Sequence, residues 1–259
     1  MQFNFLGNAL SKGPIHGFLV GLSLVLLVVA VCIWIMELSG HTVSRHGFVK
    51  NGLRWNARTI AVIAVCAAIY IALRPLQVQF VPGIGGFNPS LSLGPVLSIL
   101  FGIPGAIGVT FSMPIGDAIS GALTIGSVAG CLGHTFWTWV PYKMVRKLPL
   151  DSVSTWVRLY IGILIGGVLH MITVCGWLDF TNALPPTVIW SAVTAAIALN
   201  HLIIPAVVVP ILLTALFPLV RKSGMFHGDL EGGSTGRGDR PSMRETDAAR
   251  VADGRSTTI

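Results

Sequence analysis

Charge is what this chain has least of. Asp, Glu, Lys and Arg make up 10% of its 259 residues, where a soluble globular domain carries about a quarter. Hydrophobic residues reach 53%, and the mean hydropathy is +0.77. A water-soluble body of this composition has too few polar groups to cover its surface, so lipid is the expected solvent. Cysteine is scarce as well. Cys32, Cys66, Cys131 and Cys175 each lie alone in an apolar run, which argues against a disulfide framework or a cysteine zinc site. They are expected to be small buried hydrophobes. No P-loop, HExxH or GxSxG pattern occurs, so hydrolysis of nucleotide by this chain alone is excluded and no enzyme activity is expected. Intramembrane acids are too few for a proton relay, and no cofactor or metal ligand set is expected from the spacing.

What the chain does have is apolar segments of membrane length. A bilayer core of about 30 Å takes ~20 helical residues. The first such run is Gly17–Leu38, which is too long for a signal-peptide core and lacks an Ala-x-Ala cleavage site. Ala57–Leu73 is the second and ends at Arg74-Pro75, because proline withdraws a donor and disfavours helix in the residue before it. Residues 75–90 are rich in Pro and Gly and uncharged. Short pieces follow at Leu91–Phe101, Ala106–Gly121 and Ser127–Tyr142, with a tight turn at Gly102-Ile-Pro-Gly105. Short, Gly-rich and Pro-broken helices of this kind surround binding cavities in transporters. Leu159–Leu178 and Thr187–Val220 complete the set, the latter expected as one kinked helix despite Pro205, Pro210 and Pro218. Three domains are expected: residues 1–56, a leading helix and basic linker; 57–222, a six-helix body; and 223–259, a tail too polar to order itself.

The basic residues orient these segments. If residues 91–142 cross three times, all of the 17 Lys and Arg except Lys12 and Arg74 fall on one side. The positive-inside rule then places that side in the cytoplasm, the N-terminus outside and the C-terminus inside a plasma membrane.

Ionisable groups within spans usually face an interior cavity. The ~1.5 Å rise per helical residue puts Asp117, His134 and His170 in the outer half of the bilayer, with Asn200 and His201 near its middle. Arg74, Gln77, Gln79, Asn88, Asp179 and Asn182 lie in or beside the outer loops, and Trp177 and Trp190 flank the last of them. These residues, Arg74 through Asn200, are the expected substrate-binding set. Each lone histidine could equally be a core residue bonded to a carbonyl, and the tryptophans an interfacial belt. Asp117 must be neutral, ligand-bound, or paired with Arg74 or a histidine. Ala57, Ala61, Ala64, Ala68 and Ala72 share one helix face, which serves either internal packing or a partner subunit.

Residues 57–222 resemble the substrate-capture S component of energy-coupling-factor vitamin transporters. The likeness is carried by Ala64-x-x-x-Ala68-x-x-x-Ala72 leading into Leu73-Arg74-Pro75, the uncharged outer loop, Gly94-Pro95, Phe101-Gly-Ile-Pro-Gly105 and Gly116-Asp117-Ala118-Ile119-Ser120-Gly121. The resemblance implies an all-α six-helix membrane bundle, here preceded by one extra helix, that binds a vitamin-like solute from outside. It also implies that Ala64, Ala68 and Ala72 dock a membrane-embedded coupling subunit driven by two ATPase subunits. Two rivals stand beside it. One is an intramembrane metal-dependent enzyme using His134, His170 and His201 with Asp117; the other is a ligand-free scaffold.

Overall fold

The computed structural model describes residues 9–44, 47–76, 78–81, 85–145 and 148–227. It is predominantly helical, and four of its helices are long and apolar enough to cross a membrane. Helix α1, Gly13–Leu38, leads into a two-stranded antiparallel hairpin of β1, His41–Ser44, and β2, Gly47–Lys50. Helix α2, Ala57–Leu73, begins where the Asn56 side chain accepts a hydrogen bond from the Thr59 amide and continues as a 3₁₀ turn through Arg74–Leu76. A second hairpin follows, of β3, Val78–Val81, and β4, Gly85–Phe87. Neither hairpin was expected in these linkers. A 3₁₀ turn at Pro89–Ser92 then opens α3, Leu93–Phe101.

Helix α3 is nine residues long, about 14 Å at the helical rise and roughly half a bilayer core. It lies wholly inside the bundle, with Leu93 to Leu100 all buried. Gly102, at φ +65°, makes the expected tight turn into α4, Ile103–Ile119; that conformation is open to glycine and strained for other residues. Helix α5 is Gly126–Met144 and α6 is Val153–Phe180. The last helix, α7, runs unbroken through Pro186–Lys222 as expected, but with two π-helical stretches, at Ile189–Val193 and Leu199–Ile203. The expected tail begins at Ser223. Its first residues instead fold back, burying Phe226 against Phe217; residues 228–259 lie outside the described part.

Contacts between helix ends show that the segments alternate in direction. At one end Arg58 donates to the Gly224 carbonyl, the Tyr142 ring meets His227 at 5.3 Å, and Glu37 closes α1 onto Trp139 (2.7 Å) and Lys143 (3.1 Å) of α5. Glu37 is fully buried. At the opposite end His16 meets Asp179, Trp177 donates to the Ile125 carbonyl, and Arg74 meets Asp117. The basic residues Arg58, Lys143, Arg221 and Lys222 therefore gather at the first end. That end is filled by Val96, Leu100, Trp137, Leu159, Ile163, Leu213 and Phe217, an apolar plug. Outward faces are apolar too: Phe18, Val28, Ile60, Val65, Leu164, Val207 and Ile211 are all exposed, the pattern of helices whose solvent is lipid.

Candidate functional site

The polar residues collect above the apolar plug, toward the end that holds Arg74, Asp117 and Asp179. Asp117, near the end of α4, forms an ion pair with Arg74 at the end of α2. Both side chains are only 5–6% exposed. Gly116 makes this possible, because a β-carbon there would lie 2.7 Å from Arg74 Cγ. The pairing is one of the states that the sequence left open for Asp117, and it leaves the interior without net charge from these two groups.

The polar chain continues one turn back on α2. The Arg74 guanidinium lies 5.9 Å from the centre of the Tyr70 ring, and the Tyr70 hydroxyl stands 3.1 Å from His134 Nε2 on α5. His134 Nδ1 lies 2.9 Å from the Gly130 carbonyl. A carbonyl only accepts, so Nδ1 carries the proton and Nε2 accepts from Tyr70. Next to His134 are His170 of α6, ring centres 4.8 Å apart, and His201 of α7, 5.7 Å apart. His170 and His201 stack on each other at 4.1 Å. Trp137 closes the cluster from the plug side, edge-on to His201 at 4.9 Å.

Local backbone features bring the three imidazoles together. A β-carbon on Gly133 would lie 2.7 Å from His170 Nδ1, and one on Gly167 would lie 2.6 Å from the His201 carbonyl oxygen. Gly133 thus makes room on α5 for the His170 ring, and Gly167 lets α6 approach the α7 backbone. His201 sits in the second π-helical stretch, four residues before Pro205. Proline has no amide to give the His201 carbonyl its usual helical partner. Such π stretches occur often at functional sites.

Asn200, in the same stretch, holds the loop that precedes α3. Its Oδ1 accepts from the Asn88 amide at 2.8 Å, while its Nδ2 donates to the Ala196 carbonyl. Asn88 in turn accepts from the Ser90 amide. Six of the residues expected from the sequence, Arg74, Asn88, Asp117, His134, His170 and Asn200, are therefore buried in one neighbourhood, with His201 among them.

The others lie elsewhere. Asp179 and Trp190 form a second cluster with His16 of α1: Asp179 Oδ2 accepts from the Trp190 indole at 2.6 Å and meets His16 Nε2 at 2.6 Å. Trp177, in α6, is half-buried and donates to the Ile125 carbonyl just before α5, and Asn182 is an exposed turn residue at φ +51°. Gln77 lies outside the described residues, and of Gln79 only the backbone is described, paired with Gly86. Ala57, Ala61, Ala64, Ala68 and Ala72 are all exposed, so the alanine face does not pack inside the bundle. The buried face of α2 is Cys66, Tyr70 and Arg74.

Tyr70, Glu37 and His16 were not singled out from sequence. Tyr70 had a signal, the four-residue spacing of Cys66, Tyr70 and Arg74 on the side of α2 away from the alanines. Chemically the interior offers an internally neutral guanidinium–carboxylate pair, a phenol and three imidazoles, all shielded from lipid. No protein-family model, curated protein or solved structure matches this chain.

Proposed function

We propose that this chain is the solute-capture subunit of an ATP-driven importer, taking a vitamin-like small molecule from the extracytoplasmic side. The observation that carries the proposal is the division of the bundle into two halves. One end is plugged by apolar side chains beside the basic residues, and the other holds buried polar groups beneath a loop without charge. A protein that takes solute from one side and hands it on elsewhere needs this polarity; a scaffold has no use for it. Arg74, Asp117, Tyr70, Asn88 and Asn200 would recognise the solute, with the Arg74–Asp117 pair opening toward it. The positive-inside rule puts the polar end outside.

The exposed alanines of α2 fit a second part of the proposal. Flanked by Ile60, Val65 and Ile69, which are all exposed, they form a shallow trough in which a helix of a membrane-embedded coupling subunit would pack closely. With no P-loop in the chain, the energy would come from two ATPase subunits bound to that partner. The finer architecture proposed is a six-helix capture bundle, α2 to α7, with α1 clamped onto it through Glu37 and Asp179.

Native mass spectrometry of the full chain, purified in mild detergent from cells grown in rich medium, tests the capture reading. One small organic molecule per chain is expected in the unsubstituted protein, and its loss is expected in Arg74→Met. A chain that retains none, and whose thermal stability does not respond to a metabolite extract, contradicts the proposal.

A further inference from the structure

We propose that His134, His170 and His201 form a binding site for a late first-row transition-metal ion. One ring nitrogen from each lies within 4.8 Å of the other two, and all three side chains are buried. The residues come from three different helices, α5, α6 and α7, so their meeting is a product of the fold and not of a local spacing.

The hydrogen bonds prepare the ligand atoms. His134 and His201 each direct Nδ1 to the carbonyl four residues earlier, that of Gly130 at 2.9 Å and that of Ile197 at 3.2 Å. Both rings are thereby held in the tautomer whose Nε2 carries the lone pair. Histidines that bind metal usually tie their other nitrogen to a carbonyl or carboxylate in this way. His201 Nε2 is buried with no hydrogen-bond partner. A buried polar atom left unpaired is costly, and a metal ion would satisfy it. His134 Nε2 instead accepts from Tyr70. An ion would take over that lone pair and leave the phenol beside a fourth position.

Geometry and chemistry limit the ion. With metal–nitrogen bonds of ~2.0–2.1 Å, tetrahedral ligands stand about 3.3 Å apart, so the rings must close by rotations on the order of 1 Å. Three neutral imidazoles suit Zn²⁺, Co²⁺, Ni²⁺ or copper, and are poor ligands for Mg²⁺ or Ca²⁺. The nearest fixed cation, Arg74, is compensated by Asp117. Three protein ligands plus an open position is the arrangement of an exchangeable or reactive site; structural zinc has four closed ligands.

The inference is independent of the import reading. A chain that retains an organic solute but no metal overturns the metal site alone, and a chain that binds metal without solute leaves it standing. The test is a titration of the full, chelator-stripped chain in detergent with Co²⁺. One Co²⁺ per chain is expected, with the intense visible bands of a four-coordinate ion, displaced by Zn²⁺. His170→Gln and His201→Gln should each weaken binding at least ~10-fold, and His41→Gln, an exposed histidine at the charged end, should not. If the glutamine variants fail to fold, His201→Cys supplies a gain of signal, a sulfur-to-cobalt charge-transfer band. Substoichiometric uptake by the unsubstituted chain, six-coordinate spectra, undiminished binding in His201→Gln, or a folded His201→Cys chain without the new band would overturn the site.

Discussion

Asp117→Ala is expected to destabilise the folded chain by about 3–5 kcal/mol, the usual cost of leaving one member of a buried ion pair without its partner. The pair lies in the interior, with side chains 6% and 5% exposed, and the Arg74 stem is pressed against Gly116, so the guanidinium has little freedom to swing out to water. Arg74→Met should cost a similar amount by stranding the carboxylate. The double variant Arg74→Met/Asp117→Leu is expected to recover most of the loss, because it removes both charges and fills their volume with apolar atoms. Unfolding in mixed micelles, followed by tryptophan fluorescence, measures all three. Single variants within ~1 kcal/mol of the parent would mean that the pair is solvated, as exposed ion pairs are. The double variant should retain fold but lose solute, which separates the structural role of the pair from its role in recognition.

Ala68→Leu is expected to leave the isolated chain as stable as before and to abolish its association with a coupling subunit. Ala68 is exposed, and surface substitutions usually change stability by no more than ~0.5 kcal/mol. Close helix approach in lipid depends on small residues, since lipid gives two apolar helices no hydrophobic reason to associate. The three heavy atoms that leucine adds in the trough would hold the partner helix off, and a tenfold loss of affinity needs only about 1.4 kcal/mol. Chemical crosslinking of the tagged chain in its native membranes should yield a discrete heteromeric species, missing in Ala68→Leu and kept in Ile211→Leu, which alters an exposed residue of α7. An unchanged crosslinking pattern in Ala68→Leu would remove the alanine face from the account.

Much of the scaffold was legible because its signals are local. Arg74-Pro75 ended α2, Gly102 made its turn, and α7 remained one helix, each by backbone rules that act within a few residues. The short α3 was legible too, expected at Leu91–Phe101 and found at Leu93–Phe101; its nearly all-apolar composition did not separate a crossing segment from one buried in the bundle. The hairpins β1–β2 and β3–β4 were missed because each is two strands of three or four residues paired with each other, too short for the alternation of Gln77-Val78-Gln79-Phe80 to stand out. In the site, Asp117 announced that it required a partner, and Arg74 was among those named. His134, His170 and His201 were grouped in the rival metal-dependent reading, and the fold does bring the three together, but no local pattern specified how. Their meeting depends on Gly133, Gly167 and the π-helical stretch before Pro205 acting together, and each of those is unremarkable alone. Glu37 was overlooked because, besides nearby Thr42 and Asn51, it is held by Trp139 and Lys143 of α5, which are distant in sequence.

The central claim is that the polar end of the bundle, with Arg74 and Asp117, faces the exterior and the plugged, basic end faces the cytoplasm. Thiol labelling of intact cells with a membrane-impermeant reagent tests it most directly, using Thr124→Cys and Asn182→Cys at the polar end and Ser223→Cys at the basic end, all exposed positions. Labelling of the first two in intact cells, and of Ser223→Cys only after the cells are opened, is the expected result. Labelling of Ser223→Cys in intact cells, with the other two protected, would invert the molecule and contradict capture from outside.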